Sequence, residues 1–156
     1  NIDNVDEDEW EPMPRPLVID SGAAETVIPS EWFPLHDTLE SHGSKSGVYY
    51  TTADGAPVYD EGEKTLTMST LDGEHARKMT FQVARVNKAL GSVSKIVTNG
   101  NRVVFDQNGS YIENTWTKDN LWLREDTGVY VLDMLVAPPG KRNKSVLPGR
   151  APGSSE

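Results

Sequence analysis

The run Leu17-Val18-Ile19-Asp20-Ser21-Gly22-Ala23-Ala24-Glu25-Thr26-Val27-Ile28-Pro29 constrains this chain more than any other stretch. Three apolar residues lead into an ionisable one, a Ser-Gly pair bends the chain, and Thr26-Val27-Ile28 leaves as a second strand. Both arms are short and β-branched, which favours strands over helix. Gly22 gives the backbone the freedom a sharp bend needs. An acid set between two apolar strands is costly to bury without a partner. Asp20 is therefore expected at a cleft, close to backbone amides, and the chemistry of the chain is placed there.

The rest of the centre also reads as β. Residues 48–52 and 58–59 flank Asp54-Gly55, which predicts a type I′ hairpin with both central residues at positive φ. Residues 64–70 alternate, with Lys64, Leu66 and Met68 against Thr65, Thr67 and Ser69. Residues 71–74 turn and 79–86 return. Ser92 caps a short helix over 92–98, which Asn99-Gly100 ends. Residues 102–105 and 110–112 are strands around a turn at 106–109. The stretch 31–39 predicts a helical turn carrying Trp32, Phe33 and Leu35, and 41–47 predicts a loop. A β-meander is expected over 111–136.

The tetrad Asp20-Ser21-Gly22-Ala23, with Leu17-Val18-Ile19 before it and Thr26-Val27-Ile28 after it, resembles the active-site loop of retropepsin-like aspartic proteases, the polyprotein proteases of retroviruses and retrotransposons. The downstream order is similar to that family as well. Phe81-Gln82-Val83 is followed by Ala89-Leu90-Gly91 and a short helix. In the family such an apolar-apolar-Gly element crosses beside the catalytic turn. The resemblance covers about residues 17–112. It implies a mostly β fold: a closed or partly open β-barrel protomer with one short helix, here carrying a C-terminal β-meander extension over 111–137.

The same resemblance assigns roles. Asp20, Ser21 and Gly22 are the catalytic turn, and Ala23, Leu90 and Gly91 lie beside it. The hairpin over 50–59 is a flap whose tip, Ala53, Asp54 and Gly55, contacts substrate backbone. The activity implied is an aspartic endopeptidase acting on a peptide or polyprotein, with no cofactor and no metal. One chain supplies one such aspartate, so the active form is a homodimer in which the second carboxylate is Asp20 of an identical chain. Asp54 is an unusual charge at a flap tip; it either depresses activity at neutral pH or points to solvent. A catalytically silent retropepsin-like dimerisation or peptide-binding module is the alternative, and a plain β-rich structural domain with an incidental Asp20 is a further one.

Composition sets the boundaries. At 156 residues the chain suits one domain, and 36% hydrophobic content suits loose ends around a denser centre. An acidic arm is expected over 1–15 (Asp3, Asp6, Glu7, Asp8, Glu9 and Glu11, then Pro12 and Pro14). The domain proper is expected over 16–137, and a basic Pro/Gly/Ser-rich tail over 138–156 with Lys141, Arg142, Lys144 and Arg150. A linker or polyprotein junction accounts for that tail better than a nucleic-acid patch. A net charge of −9 argues against nucleic acid and anionic membrane as partners of the domain. There are no cysteines, no membrane-length apolar run and no leader pattern, so an intracellular, cytoplasmic setting is expected. The start at Asn1 suits a piece of a longer chain, with a retroelement polyprotein as parent.

Other motifs take plainer readings. Asp126-Thr127-Gly128 spells a second aspartic-protease triplet, but Arg124-Glu125 stand where an apolar strand belongs and no Ala follows. It is read as a hairpin turn. His36, His42 and His75 lack metal-ligand spacing and are read as solvated. Asp60, Glu61 and Glu63 are read as a solvated turn. The glycosylation-like triplets at Asn108 and Asn143 are read as chance.

Overall fold

A computed structural model describes residues 9–52 and 54–140. The described chain is mostly β, and its elements follow in the order β1 (Glu11–Pro12), β2 (Leu17–Asp20), β3 (Val27–Pro29), α1 (His42–Ser46), β4 (Tyr49–Thr51), β5 (Pro57–Tyr59), β6 (Gly62–Thr70), β7 (Ala76–Ala84), β8 (Leu90–Ser92), α2 (Val93–Thr98), β9 (Asn101–Val104), β10 (Ser110–Asn114), β11 (Asn120–Asp126), β12 (Val129–Leu132) and β13 (Met134–Val136). Eleven strands form one sheet in the order β1-β13-β6-β7-β3-β8-β2-β12-β11-β10-β9, curled into a half-barrel. Strands β4 and β5 stand apart as a two-stranded hairpin.

Most of this sheet is antiparallel. The exceptions surround Asp20. Strand β2 runs parallel to β8, and β3 runs parallel to β7, while a single antiparallel pair, Val27↔Leu90, ties β3 to β8. Strand β8 thus lies between the two arms of the Asp20 turn. The other edge of β2 is filled by β12, with Tyr130↔Ile19 and Leu132↔Leu17 in register. The 111–136 stretch therefore extends the protomer's own sheet. Strand β13 continues it onto β6 and β1.

The concave side of the sheet is filled by alternating apolar residues, among them Leu17, Ile28, Leu66, Phe81, Val83 and Val136. The alternation of β6 carries Lys64 to the same side, where it is buried. Its Nζ donates to the carbonyls of Trp32 (3.0 Å) and Phe33 (2.7 Å), which compensates much of the cost of burial. Burial still holds the Lys64 pKa below its ordinary value, with the Asp37 carboxylate acting the other way.

The stretch those carbonyls belong to corrects one expectation. Residues 31–39 form two successive turns, closed by Trp32 N–H on Pro29 O (3.0 Å) and His36 N–H on Phe33 O (3.0 Å). Phe33 takes positive φ (55°) with its ring buried, and Leu35 is 79% exposed. Phe33 at positive φ leaves the helical region and Pro34 after it has no N–H to donate, so the chain turns twice instead of winding into a helix. The predicted loop at 41–47 is, conversely, the helix α1. Ser41 and Ser44 form a reciprocal capping box at its start, and Gly47 closes it at φ 74°.

Of the stretch expected as a solvated arm, Glu11–Pro12 pairs with β13, and Met13 is buried with its N–H on Met134 O (3.2 Å). The sheet thus begins at Glu11. Asp3, Asp6, Glu7 and Asp8 of the arm, and Lys141, Arg142, Asn143, Lys144 and Arg150 of the tail, lie outside the described residues.

Candidate functional site

Asp20 ends β2 at the rim of the sheet. Leu17 and Ile19 point into the core, so Val18 and Asp20 alternate to the other side, where both are half-buried. The turn that follows brings Gly22 N–H onto Asp20 Oδ1 at 2.7 Å, and Ala23 N–H reaches Asp20 O at 3.4 Å. A Cβ on Gly22 would lie 3.4 Å from Asp20 Oδ1, an ordinary contact, and Gly22 does not take positive φ, so the backbone freedom expected of it is not used in this turn. Ser21, Gly22 and Ala24 are exposed and Ala23 half-buried. The turn therefore offers small residues and one carboxylate at its surface.

Strand β8 fixes the level of that carboxylate. Val18↔Leu90, Ile19↔Gly91 and Asp20↔Ser92 are parallel register partners, and Val18 N–H donates to Ala89 O at 3.1 Å. Gly91 sits in a tightly packed place. A Cβ there would stand 3.2 Å from Ile19 Cδ1, 3.5 Å from Leu17 Cδ2 and 3.6 Å from Ile96 Cδ1. Ser92 then caps α2 by accepting from Lys95 N–H (3.2 Å), as its sequence position predicts.

Sequence reasoning missed Thr26, which holds the site from behind. It is 5% exposed, and its Oγ1 accepts from the N–H of fully buried Ser92 at 3.0 Å. Its carbonyl accepts from Gln82 N–H at 2.8 Å. One threonine thus joins the outgoing arm of the Asp20 turn to both β8 and β7. The available signal was its place at the first inward position after the turn, where a buried hydroxyl must find a partner.

The hairpin expected as a flap is present, with Tyr49↔Tyr59, Tyr50↔Val58 and Thr51↔Pro57 paired. Its turn differs from the type I′ reading. Gly55 N–H closes on Thr52 O (2.9 Å) with Gly55 at φ 87°. Thr52 N–H to Ala56 O (3.0 Å) completes a three-residue loop. The third residue, Ala53, lies outside the described residues. Asp54 Oδ1 accepts from Thr52 Oγ1 and from Ala56 N–H (3.1 Å), so this acid closes its own turn. The Thr52 hydroxyl first, and then the Ala56 amide, hold its carboxyl below the usual range. Among the described residues no hydrogen bond or ion pair joins Asp54 or Gly55 to the Asp20 turn.

Other sequence readings fare differently. Asp126-Thr127-Gly128 is a two-residue hairpin turn with Thr127 (φ 52°) and Gly128 (φ 88°) both positive and Asp126 paired to Val129. His42 is exposed in α1, but His36 and His75 are not simply solvated. His36 Nε2 lies 2.9 Å from Ala137 O. His75 Nδ1 lies 2.7 and 2.8 Å from the two Asp119 oxygens, and Arg77 Nη2 lies 3.2 Å from the same carboxylate. Asp60, read as part of a solvated turn, is 6% exposed and accepts three hydrogen bonds. The interior charge is tolerated because each donor was placed by a different element.

A groove of about 330 Å³ opens beside the turn, between β7 and α2, lined by Glu25, Thr26, Lys78, Gln82, Lys95 and Asn99 among others. Lys95 pairs with Glu25 at 3.3 Å across it. Asp20 does not line this groove. Among the described residues no three His, Cys, Asp or Glu side chains are grouped to hold a metal, and no helix is long and apolar enough to cross a membrane. Comparison with protein families, curated proteins and solved structures returned no match.

Proposed function

We propose that this chain is an aspartic endopeptidase of retropepsin type, active as a homodimer in which two Asp20 carboxylates share one water. The observation that carries the reading is the placement of Asp20. A carboxylate ends a strand whose alternate residues are buried, β8 runs parallel beside it, and the residues that follow it in the turn, Ser21 to Ala24, are small. Both edges of β2 are already paired within the chain, to β8 and to β12, so a second copy must approach through the turn itself. Ser21, Gly22 and Ala24 leave room for the close approach this demands.

The chemistry follows from two acids in one place. Like charges a few ångströms apart do not both ionise, so the pair holds one proton between them. The ionised member takes a proton from the water as its oxygen attacks the peptide carbonyl carbon. The protonated member gives its proton to the carbonyl oxygen, and a tetrahedral diol forms. Return of a proton to the amide nitrogen lets the C–N bond break, releasing an acid and an amine. Gly22 N–H on Oδ1 steadies the carboxylate; Oδ2, which takes no hydrogen bond among the described residues, faces the water. The β4–β5 hairpin closes over an extended peptide. A retroelement polyprotein in the cytoplasm is the substrate and setting the reading favours.

The test is incubation of an unfolded protein with the wild type and with Asp20→Asn at about pH 5, the acid side on which such a pair works. Cleavage by the wild type alone is expected. Equal cleavage, or none by either, removes the enzyme reading and leaves the silent binding module.

A further inference from the structure

The β4–β5 hairpin shares no strand pairing with the main sheet, so what holds it at its angle must lie at its root. There the chain leaves at Val48 and returns at Asp60, whose N–H donates to Val48 O at 2.9 Å. The Asp60 carboxylate is buried and draws on three elements. Tyr50 OH, from the hairpin, donates to Oδ2 at 2.8 Å. Gly62 N–H, from the start of β6, donates to Oδ1 at 2.8 Å. The Ser41 hydroxyl, from the cap of α1, donates to Oδ1 at 3.3 Å while accepting from Ser44 N–H at 3.1 Å. The helix lies directly against the acid: a Cβ on Gly43 would fall 2.6 Å from Asp60 Oδ2.

Strand β6 begins at this root and is tied to the candidate site. Gly62 pairs with Val83, and Val83 pairs with Ile28 on the outgoing arm of the Asp20 turn. A displacement at Asp60 therefore has a short covalent and hydrogen-bonded path to the turn. Among the described residues the Tyr50 hydroxyl is the one side-chain hydrogen bond from the hairpin to the Asp60 carboxylate. Burial first, then the Asp60 hydrogen bond and charge, push its pKa up, with a smaller contribution from the Glu25 carboxylate. Tyr50 is thus within electrostatic reach of a residue five positions beyond Asp20.

We infer that Asp60 is a positioning residue: through Tyr50 it anchors the root of the β4–β5 hairpin and sets the angle at which that hairpin lies over a bound peptide. The second half of this statement rests on the protease reading; the anchoring itself does not. Asp60 touches no reacting atom in this scheme. Its contribution is to make one hairpin position more populated than others, and loss of it lowers the fraction of chains ready to hold substrate.

Tyr50→Phe tests the anchor, since it removes only the hydroxyl and keeps the ring. Amide hydrogen exchange on the full chain is compared with that of the wild type. Exchange at residues 49–59 is expected to speed up about ten- to hundredfold, the consequence of losing a hydrogen bond to a charged group, while residues 64–70 of β6 keep their rate. An unchanged hairpin, or equal acceleration in β6, overturns the inference. Where the wild type cleaves a peptide, Tyr50→Phe is expected to raise KM about tenfold with kcat changed much less. A fall in kcat with KM unchanged overturns the positioning role. Asp60→Asn keeps one acceptor oxygen and sets its NH2 against either the Tyr50 hydroxyl or the Gly62 and Ser41 donors, so it is expected to speed hairpin exchange at least as much as Tyr50→Phe; hairpin exchange at the wild-type rate contradicts the inference. The exchange readout needs no cleavage, so failure of the protease reading and failure of the anchor are told apart.

Discussion

Asp20 and Ser92 are register partners in the parallel pairing of β2 and β8, so the site acid and the capping residue of α2 share one level of the sheet. Thr26 closes the arrangement by taking the Ser92 amide from the other arm of the turn. The two arms of one turn and a strand about seventy residues further on therefore set the position of one carboxylate. Each has a residue whose replacement separates support of the site from the chemistry proposed for it.

Thr26→Val keeps the volume and removes the acceptor, stranding a buried N–H. Stability is expected to fall by about 1–3 kcal/mol in urea unfolding, with Thr26→Ser close to wild type. Equal stability of Thr26→Val and wild type contradicts the role given to this hydroxyl.

Gly91→Val adds bulk where even a Cβ stands 3.2 Å from Ile19 Cδ1. Overpacking of this kind costs about 1–3 kcal/mol, and here it pushes on the residue next to Asp20. A lower urea midpoint is the expected result. A midpoint equal to wild type shows that β8 and β2 are not packed this closely.

Arg124 grips Asp133 with two hydrogen bonds, Nε to Oδ2 at 2.7 Å and Nη2 to Oδ1 at 3.0 Å, which hold the Asp133 carboxyl below its ordinary 3.8. A depressed acid stabilises fully above its unfolded value, and that stabilisation is lost as pH falls through the folded one. The pair is partly exposed, so about 0.2–1 kcal/mol is expected. Asp133→Asn should be less stable than wild type near pH 6, and the gap should narrow as pH falls below the ordinary 3.8. A gap that widens in acid has the wrong sign.

Gly128 and its neighbour Thr127 bend β11 into β12 at positive φ. Gly128→Ala is expected to cost about 1 kcal/mol through backbone strain alone, since a Cβ there meets nothing within 4 Å. Asp126→Asn is expected to leave peptide cleavage at the wild-type rate, measured beside Asp20→Asn. Loss of cleavage in Asp126→Asn contradicts the reading of this triplet as a turn.

What the sequence displayed most openly was local. The Ser92 cap, the Asp126-Thr127-Gly128 hairpin and the alternation of β6 each depend on residues within a few positions of one another. Helix α1 was equally local but hidden, because Ser44 stands where a capping box ordinarily has Glu or Gln. The turns at 31–39 depended on Phe33 taking positive φ before Pro34, and the inward position of Lys64 was visible while its carbonyl partners were not. Burial of Asp60 depended on donors from three separate elements. The filling of the free edge of β2 by β12, across more than a hundred residues, has no local signature at all.

The most direct measurement is a subunit-mixing titration. Wild-type chain at fixed total protein is diluted with Asp20→Asn, and peptide cleavage is followed at about pH 5. If each active unit needs an Asp20 from both copies, mixed dimers are dead and activity falls as the square of the wild-type fraction. Activity that falls only in proportion to the wild-type fraction means that each chain works alone, and the shared-water account is then wrong.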